Sequence, residues 1–514
     1  MEPLLQAYAE INPGFSFEDP AQAIHFIQWV VGYVDDNSLI LTFRDNQTTA
    51  EALSAAQAAL SSWRKLLQIT GGDLALEKCV YSYMGWVNKK GKEVLSTIKE
   101  SPGSIMIASQ GSEATEIKRI EPTEAERILG VRCALDGKDN TEFTYRLEEA
   151  TTLAGRISNA PLTRFDAEVV YRERWMATIK YCLPITRFTK EQCHKLSIVI
   201  EKALLPKLGF NRHMPKAVLY GPKKYGGKQL MNLHTEQTIL HTEKLMAHLR
   251  GGDDIGRLQL ILLNKQQLVS GAKDFLFQLQ ASRYKYCEHN EITFLWRKLS
   301  SLKIKLNIKG AWKPTLQDSN DCFIMEHFID KGYNTPTLEV LNDIRVYMRV
   351  TVLSEISTQG CKISKWALDA QQNKHSEWQW PPRRSPTSQN KKVWRDCIRG
   401  TFMKGIQDLI QPITTHPHNV YGLTAYPAFQ YHHMIKKCTL METIGQYPTE
   451  LLSLLGNSTI SDTDGQQIME CIQHDRASAG SDGSVKDGIG GHSFCISDHS
   501  FTTAIWGYAQ TVGT

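Results

Sequence analysis

Ala23-Ile24-His25-Phe26-Ile27-Gln28-Trp29-Val30-Val31-Gly32-Tyr33-Val34-Asp35-Asp36-Asn37-Ser38-Leu39-Ile40-Leu41-Thr42-Phe43 is the stretch that decides how this chain is read. The runs Ala23 to Gly32 and Ser38 to Phe43 are apolar enough for buried or half-buried strands. Between them stand two adjacent carboxylates, where a strand connection ordinarily carries a neutral turn such as Asn-Gly. Two like charges side by side are costly unless a cation neutralises them. A surface turn with two hydrated aspartates is the ordinary alternative. The aromatic residue and valine before the pair, and the strands on both sides, favour a built cation site.

The order continues downstream. Leu53, Ala56, Leu60, Trp63 and Leu67 form one stripe of an amphipathic helix. Asn46 or Thr48 caps its start and Gly71-Gly72 end it. Leu74 to Val80 reads as a short strand carrying Lys78. Farther on, Arg127-Ile128-Leu129-Gly130-Val131-Arg132-Cys133 leads into Asp136-Gly137, a hairpin turn signal. Hairpin, helix, glycine-rich turn, lysine and Leu-Gly hairpin, in this order, resemble the palm of a reverse transcriptase. The resemblance implies that Asp35 is a Mg²⁺ ligand and Asp36 a ligand or close electrostatic support. It implies that Lys78 lies near the incoming triphosphate and protonates the leaving pyrophosphate. Leu129 and Gly130 then belong to the primer-grip hairpin, which holds the primer end against the metals.

That family completes its two-metal site with an aspartate on an earlier strand. Asp19 is the only Asp before Asp35, and its neighbour Pro20 and its closeness to the hairpin argue against that role. The expectation is a polymerase site with one half of its carboxylates.

Charge is unevenly spread. The whole chain carries +5, but Arg172 to Lys228 holds thirteen Lys or Arg against Glu173, Glu191 and Glu201, a local net of +10. Such a segment is an electrostatic footprint for a phosphate backbone. Thr163 to Tyr181 and Thr189 to Leu205 read as helices ended by Pro184 and Pro206. An apolar, strand-like Met214 to Pro222 follows, then Gly226-Gly227 and a helix from Thr235 to Arg250. This run resembles the thumb of reverse transcriptases from retrotransposons lacking long terminal repeats. The resemblance places Lys216, Lys223, Lys224 and Lys228 against phosphates of a template–primer duplex.

Leu258 to Ala370 reads as mainly helical, with a strand-like interruption at Lys303 to Lys309. Gln371 to Arg395, with Trp378, Trp380, Pro381, Pro382, Arg383, Arg384, Lys391 and Lys392, reads as a basic, proline-interrupted, solvated linker. Near the end, Ser481-Asp482-Gly483-Ser484 and the Gly-rich turn before Ser493-Phe494-Cys495-Ile496 resemble the opening hairpin of ribonuclease H, with Phe501 to Tyr508 as a third strand. In that family Asp482 would be the first ligand of a two-metal hydrolytic site acting on RNA–DNA hybrids, and the partner carboxylates come from elements after this stretch.

The remaining signals set bounds. A length of 514 residues suits several domains. No long apolar run suggests a membrane span, and Met1-Glu2-Pro3-Leu4-Leu5 has no signal-peptide pattern. Eleven scattered cysteines suit a reducing compartment, nuclear or cytoplasmic, rather than a secreted disulfide framework. His416, His418, His432, His433 and Cys438 do not match zinc spacing, so no zinc is expected. The expected fold class is α+β, with a partial polymerase palm at 1–160 and a basic helical thumb at 161–255. A helical connection at 256–370, the linker at 371–395, a helical or irregular connection at 396–475 and a truncated ribonuclease H domain at 476–514 complete it. The expected function is that of a retroelement RNA-directed DNA polymerase fragment, binding RNA template, DNA primer and RNA–DNA hybrid with Mg²⁺. A non-catalytic nucleic-acid-binding remnant of a degenerate copy, or an unrelated helical interaction protein, stays open beside it.

Overall fold

In the computed structural model, Val30–Tyr33 pairs antiparallel with Asp36–Leu39, Tyr33 standing opposite Asp36. The structure describes residues 2–12, 14–33, 36–43, 47–89, 92–109, 112–308, 311–312, 316, 321–358, 362–376, 378–403, 457–460, 467, 477–486, 489–498 and 504–512. Val34 and Asp35, and the candidate zinc residues His416, His418, His432, His433 and Cys438, lie outside them, as do the side chains of Tyr33 and Asp36. The architecture is α+β, mainly helical with small sheets. Two compact units divide the chain, Met1–Ala425 and Tyr426–Thr514.

The long first strand expected over Ala23 to Gly32 is divided at Trp29. His25–Gln28 pairs back onto Phe15–Glu18, whereas Val30–Tyr33 belongs to the hairpin. The cause lies in where the side chains go. Ile24 packs on the large helical core, while Trp29, Val30, Leu39 and Leu41 pack with Trp63 and Ala59 of the helix Thr49–Ile69. One flat strand cannot serve both cores.

The helix Thr49–Ile69 starts as read, with a capping box between Thr48 and Glu51, and Gly71 leaves it in the left-handed region. Trp63 is 1% exposed and meets Tyr8 edge-to-face at 5.5 Å. Leu74 to Val80 is not a strand. Lys78 N donates to Ala75 O and Cys79 N to Leu76 O in a turn, and only Val80–Tyr81 pairs, parallel to Lys118–Arg119. The turn brings Leu76 and Cys79 onto one apolar cluster with Leu53 and Ile105, faces that a strand would separate.

Arg164–Val169, Val170–Met176 and Ala177–Cys182 follow one another as a helix with a wide-turned middle. Both this helix and Lys190–Lys207 open with capping boxes, at Thr163 and Thr189. Pro206 sits inside the last turn of the second rather than ending it. The strand expected over Met214 to Pro222 is instead a helical turn, Lys216–Tyr220. Its spacing lets Lys216 and Tyr220 reach the same Glu201 carboxylate, whereas a strand would hold them about 13 Å apart. With the helix Asn140–Asn159 these elements share a core that includes Ile157, Trp175, Leu196 and Leu204.

A second core runs from Leu245 to Phe402. No strand forms at 303–308; Leu306 O instead accepts from Gln278 Nε2 at 2.6 Å. Gln371 to Arg395 is not a solvated linker. Trp380 is 8% exposed and lies beside the buried Arg345 guanidinium, 5.5 Å from its ring centroid. Arg383 pairs with Glu288 and Asp343, and Gln379 N donates to Pro20 O at 2.8 Å. Ser388–Ile398 is a helix whose Trp394 is fully buried. The segment reads as polar because its aromatic rings are few, yet those rings supply the packing.

In the second unit Ala477–Lys486, Ile489–Asp498 and Ala504–Val512 form the expected antiparallel meander. A fourth strand, Asn457–Ile460, adds to the free edge of the last. The third strand lies later than the Phe501 to Tyr508 of the sequence reading.

Candidate nucleic-acid interface

Leu129 and Gly130 form the tip of a hairpin, Ile128 opposite Val131. The turn is here and not at Asp136-Gly137, which instead precedes the helix Asn140–Asn159. Both tip residues have positive φ, 46° and 87°, the geometry of a two-residue hairpin turn whose twist matches its strands. Glycine adopts it freely. Leucine there carries strain on the order of 1–3 kcal/mol, a cost that persists only where the surroundings impose it.

Those surroundings are dedicated. Tyr181 Oη donates to Leu129 O at 2.5 Å and Arg146 Nη2 to Gly130 O at 3.1 Å. Arg146 in turn gives Nε to the fully buried Glu142 at 2.6 Å and Nη1 to Glu149 at 2.8 Å. Glu142 also accepts from Arg132 N at 2.8 Å, just past the turn. Despite this support Leu129 is 43% and Ile128 48% exposed. The fold thus spends strain and a buried ion pair on presenting an apolar tip to solvent. Tyr181, Glu142 and Arg146 were not singled out in the sequence, although Glu142, Arg146 and Glu149 share one helix face by spacing alone.

The lysines divide into two kinds. Lys216 is ion-paired with Glu201, a carboxylate that also accepts from Tyr220 Oη at 2.5 Å. Lys223 Nζ stands 3.2 Å from Glu168, and this hydrogen bond is the main cause holding that carboxyl below its usual range. Lys224 lies 4.8 Å from the centre of the Tyr225 ring and Lys228 4.4 Å from that of Phe210. Lys180 is paired with Glu236 at 2.6 Å. The net of +10 therefore overstates the field, because Glu168 and Glu236 reach into the segment from outside it. A window of sequence does not see carboxylates that fold onto it.

One helix connects tip and lysines. Tyr181 holds the tip at its C-terminal end and Glu168 meets Lys223 thirteen residues earlier, about 20 Å away at about 1.5 Å per residue.

Lys78 is exposed on its turn. Leu74 before it shares a cluster with Val30 and Leu39 of the Asp-Asp hairpin. Asp19 is buried and its carboxylate accepts from Ile24 N at 2.8 Å, closing the connection between Phe15–Glu18 and His25–Gln28. That is a turn-forming role. Asp482 lies on Ala477–Lys486 opposite Ser493; its side chain is outside the described residues. Among the described residues, to which Asp35 does not belong, no group of three or more His, Cys, Asp or Glu is arranged to hold a metal ion. No described helix is long and apolar enough to cross a membrane.

Lys298 ties three elements together. Its Nζ donates to Phe188 O at 3.2 Å and to Gln237 Oε1 at 3.0 Å. Burial lowers its amine from 10.5 to about 8. Because the folded value is the lower one, the unfolded chain binds more protons between the two. Stability therefore rises as pH climbs from about 8 toward 10.5 and is lost as pH falls through about 8. Relative to Lys298→Met, the wild-type chain should gain about 3 kcal/mol across that window in urea unfolding. A difference that stays flat with pH would sink the assignment.

No family model matches the chain, and neither a curated protein nor a solved structure matches it.

Proposed function

We propose that this chain is part of a retroelement RNA-directed DNA polymerase, with the beginning of a ribonuclease H domain at its C-terminal end. The observation that carries the reading is the Leu129-Gly130 tip, a strained and exposed apolar turn held by Tyr181 and Arg146. A strained residue that the surroundings hold in place and leave in solvent is a contact residue in waiting. From it to the lysine loop runs about 20 Å of helix, the length of about six base-pair steps at 3.4 Å each.

In this reading Asp35 and Asp36 would hold Mg²⁺, and their hard oxygen donors fit that ion. When bound, the metal neutralises charge developing on the transferring phosphoryl group. The chain's own residues position. The tip holds the primer strand, Lys224 and Lys228 meet backbone phosphates, and Lys78 stands ready as a proton donor to the leaving pyrophosphate. Asp482 in the C-terminal meander takes the first ligand position of the hydrolytic site, with RNA–DNA hybrid as its substrate.

Binding to an RNA–DNA template–primer duplex tests the reading. Because Lys216 and Lys223 are held by carboxylates, most of the phosphate contact should come from the other two. Lys224→Glu with Lys228→Glu should weaken binding and lower the slope of log K against log salt by about 0.9 for each lost contact. The same reversals at Lys216 and Lys223 should add less. An unchanged slope in the quadruple variant would remove the lysines from the interface.

A further inference from the structure

Two large rings stand in solvent beside the lysine loop: Phe165 is 75% and Tyr225 78% exposed. Neither belongs to a core, and they come from segments far apart in sequence. Glu168 Oε1 joins those segments, 3.2 Å from Lys223 Nζ and 2.6 Å from Arg172 Nη2. Phe165, Glu168 and Arg172 lie at i, i+3 and i+7, on one face of the helix. A second junction closes the same patch. The Arg164 guanidinium packs 2.6 Å from where a Cβ on Gly209 would stand, and the next residue, Phe210, carries Lys228 over its ring at 4.4 Å.

The loop bearing Tyr225 is built to hold its shape. Tyr225 N and Gly227 N both donate to Pro222 O, at 3.0 and 3.1 Å, and Gln229 N donates to Gly221 O at 2.9 Å. Gly226 has φ 80°, and a Cβ on Gly227 would stand 2.0 Å from Gly221 O, so the turn closes only with glycine. Tyr225 is thus presented by a rigid turn, with Lys224 against one face and the rest of the ring in water.

We infer that Phe165 and Tyr225, flanked by Arg172, Lys223 and Lys224, form a stacking platform for unpaired nucleic acid. The inference deepens the function proposed above and rests on it. Cations interleaved with exposed rings fit a polyanion with free base faces: the charges track phosphates and the rings stack on bases. Bases of a duplex are already stacked on each other, so the rings favour a single strand. Glu168 lies between Arg172 and Lys223 and offsets part of their charge, so Lys224 is the cation best placed to meet a phosphate.

Fluorescence anisotropy on the full chain tests this, with a labelled oligothymidylate and a duplex, each about 12 nucleotides long. Phe165→Ala and Tyr225→Ala should each weaken single-strand binding about tenfold, the effect of losing a stacked base. Duplex affinity and the salt slope should stay as in the wild type. Tyr225→Phe should keep the single-strand affinity, and Lys224→Gln should lower the single-strand salt slope by about 0.7. Both residues are exposed, so a thermal melt will show that the variants remain folded. Alanine variants that bind the single strand as well as the wild type overturn the platform, as does an equal loss on duplex and single strand. A wild-type chain that binds the duplex but not the oligothymidylate overturns this inference alone. One that binds neither overturns the proposed function with it.

Discussion

Joined upstream to a reverse transcriptase segment that supplies an aspartate-bearing strand, the chain is expected to extend a DNA primer on an RNA template with Mg²⁺. Asp35→Asn in that chimera is expected to lower extension by on the order of 10³-fold. The argument starts at the hairpin. Val30–Tyr33 and Asp36–Leu39 pair so that the connection is two residues long, and the paired strands pack through Val30 and Leu39 on the helix Thr49–Ile69. Two-metal catalysis draws its carboxylates from more than one strand, and a bound metal contributes several kcal/mol to the transition state. At about 1.4 kcal/mol per tenfold, a lost ligand gives the expected factor. Extension that survives Asp35→Asn would show that the hairpin carboxylate holds no metal. Absent extension, with duplex binding and its salt slope intact, would favour the non-catalytic remnant.

Glu142→Ala is expected to destabilise the Met1–Ala425 unit by about 3–5 kcal/mol, the cost of breaking a buried ion pair. Glu142 is fully buried, and its carboxylate satisfies Arg146 Nε and Arg132 N together. Removing it takes away the buried partner of the Arg146 guanidinium, which holds Gly130 O, and leaves Glu149 on its Nη1. The same substitution should therefore loosen the Leu129 tip and weaken template–primer binding beyond what the lysine reversals alone produce. Replacing both partners, Glu142→Leu with Arg146→Met, should recover much of the stability because no charge is left buried, while tip-dependent binding stays low. Urea unfolding and duplex titration of the three variants separate the two effects. A single Glu142→Ala loss below about 1 kcal/mol would mean that water reaches the pair and that its energy is that of a surface ion pair.

What the sequence determined by itself was local. The apolar runs around Asp35 and Asp36 specified a hairpin, Thr48 and Gly71 marked the ends of one helix, and the Gly-rich turn between Asp482 and Phe494 marked another hairpin, because strand pairing and capping depend on near neighbours. The same local signals failed where distant partners compete. Leu74 to Val80 and Met214 to Pro222 look like strands in isolation. In the fold, one turns to place Leu76 and Cys79 on a single cluster, and the other winds to bring Lys216 and Tyr220 onto Glu201.

Only the tertiary structure decided which charges face outward. Lys216, Lys223, Lys224 and Lys228 are alike in sequence, yet two are taken by carboxylates from other helices and two lie against rings. Likewise the Trp380 segment is a linker by composition and a packed strap once Arg345 lies beneath it. The strain at Leu129 had no sequence signature at all, since a leucine before a glycine is ordinary until Tyr181 and Arg146 fix its backbone. Coulomb pairing and burial act through space over a few ångströms, and Glu168 and Lys223 meet across 55 positions of chain.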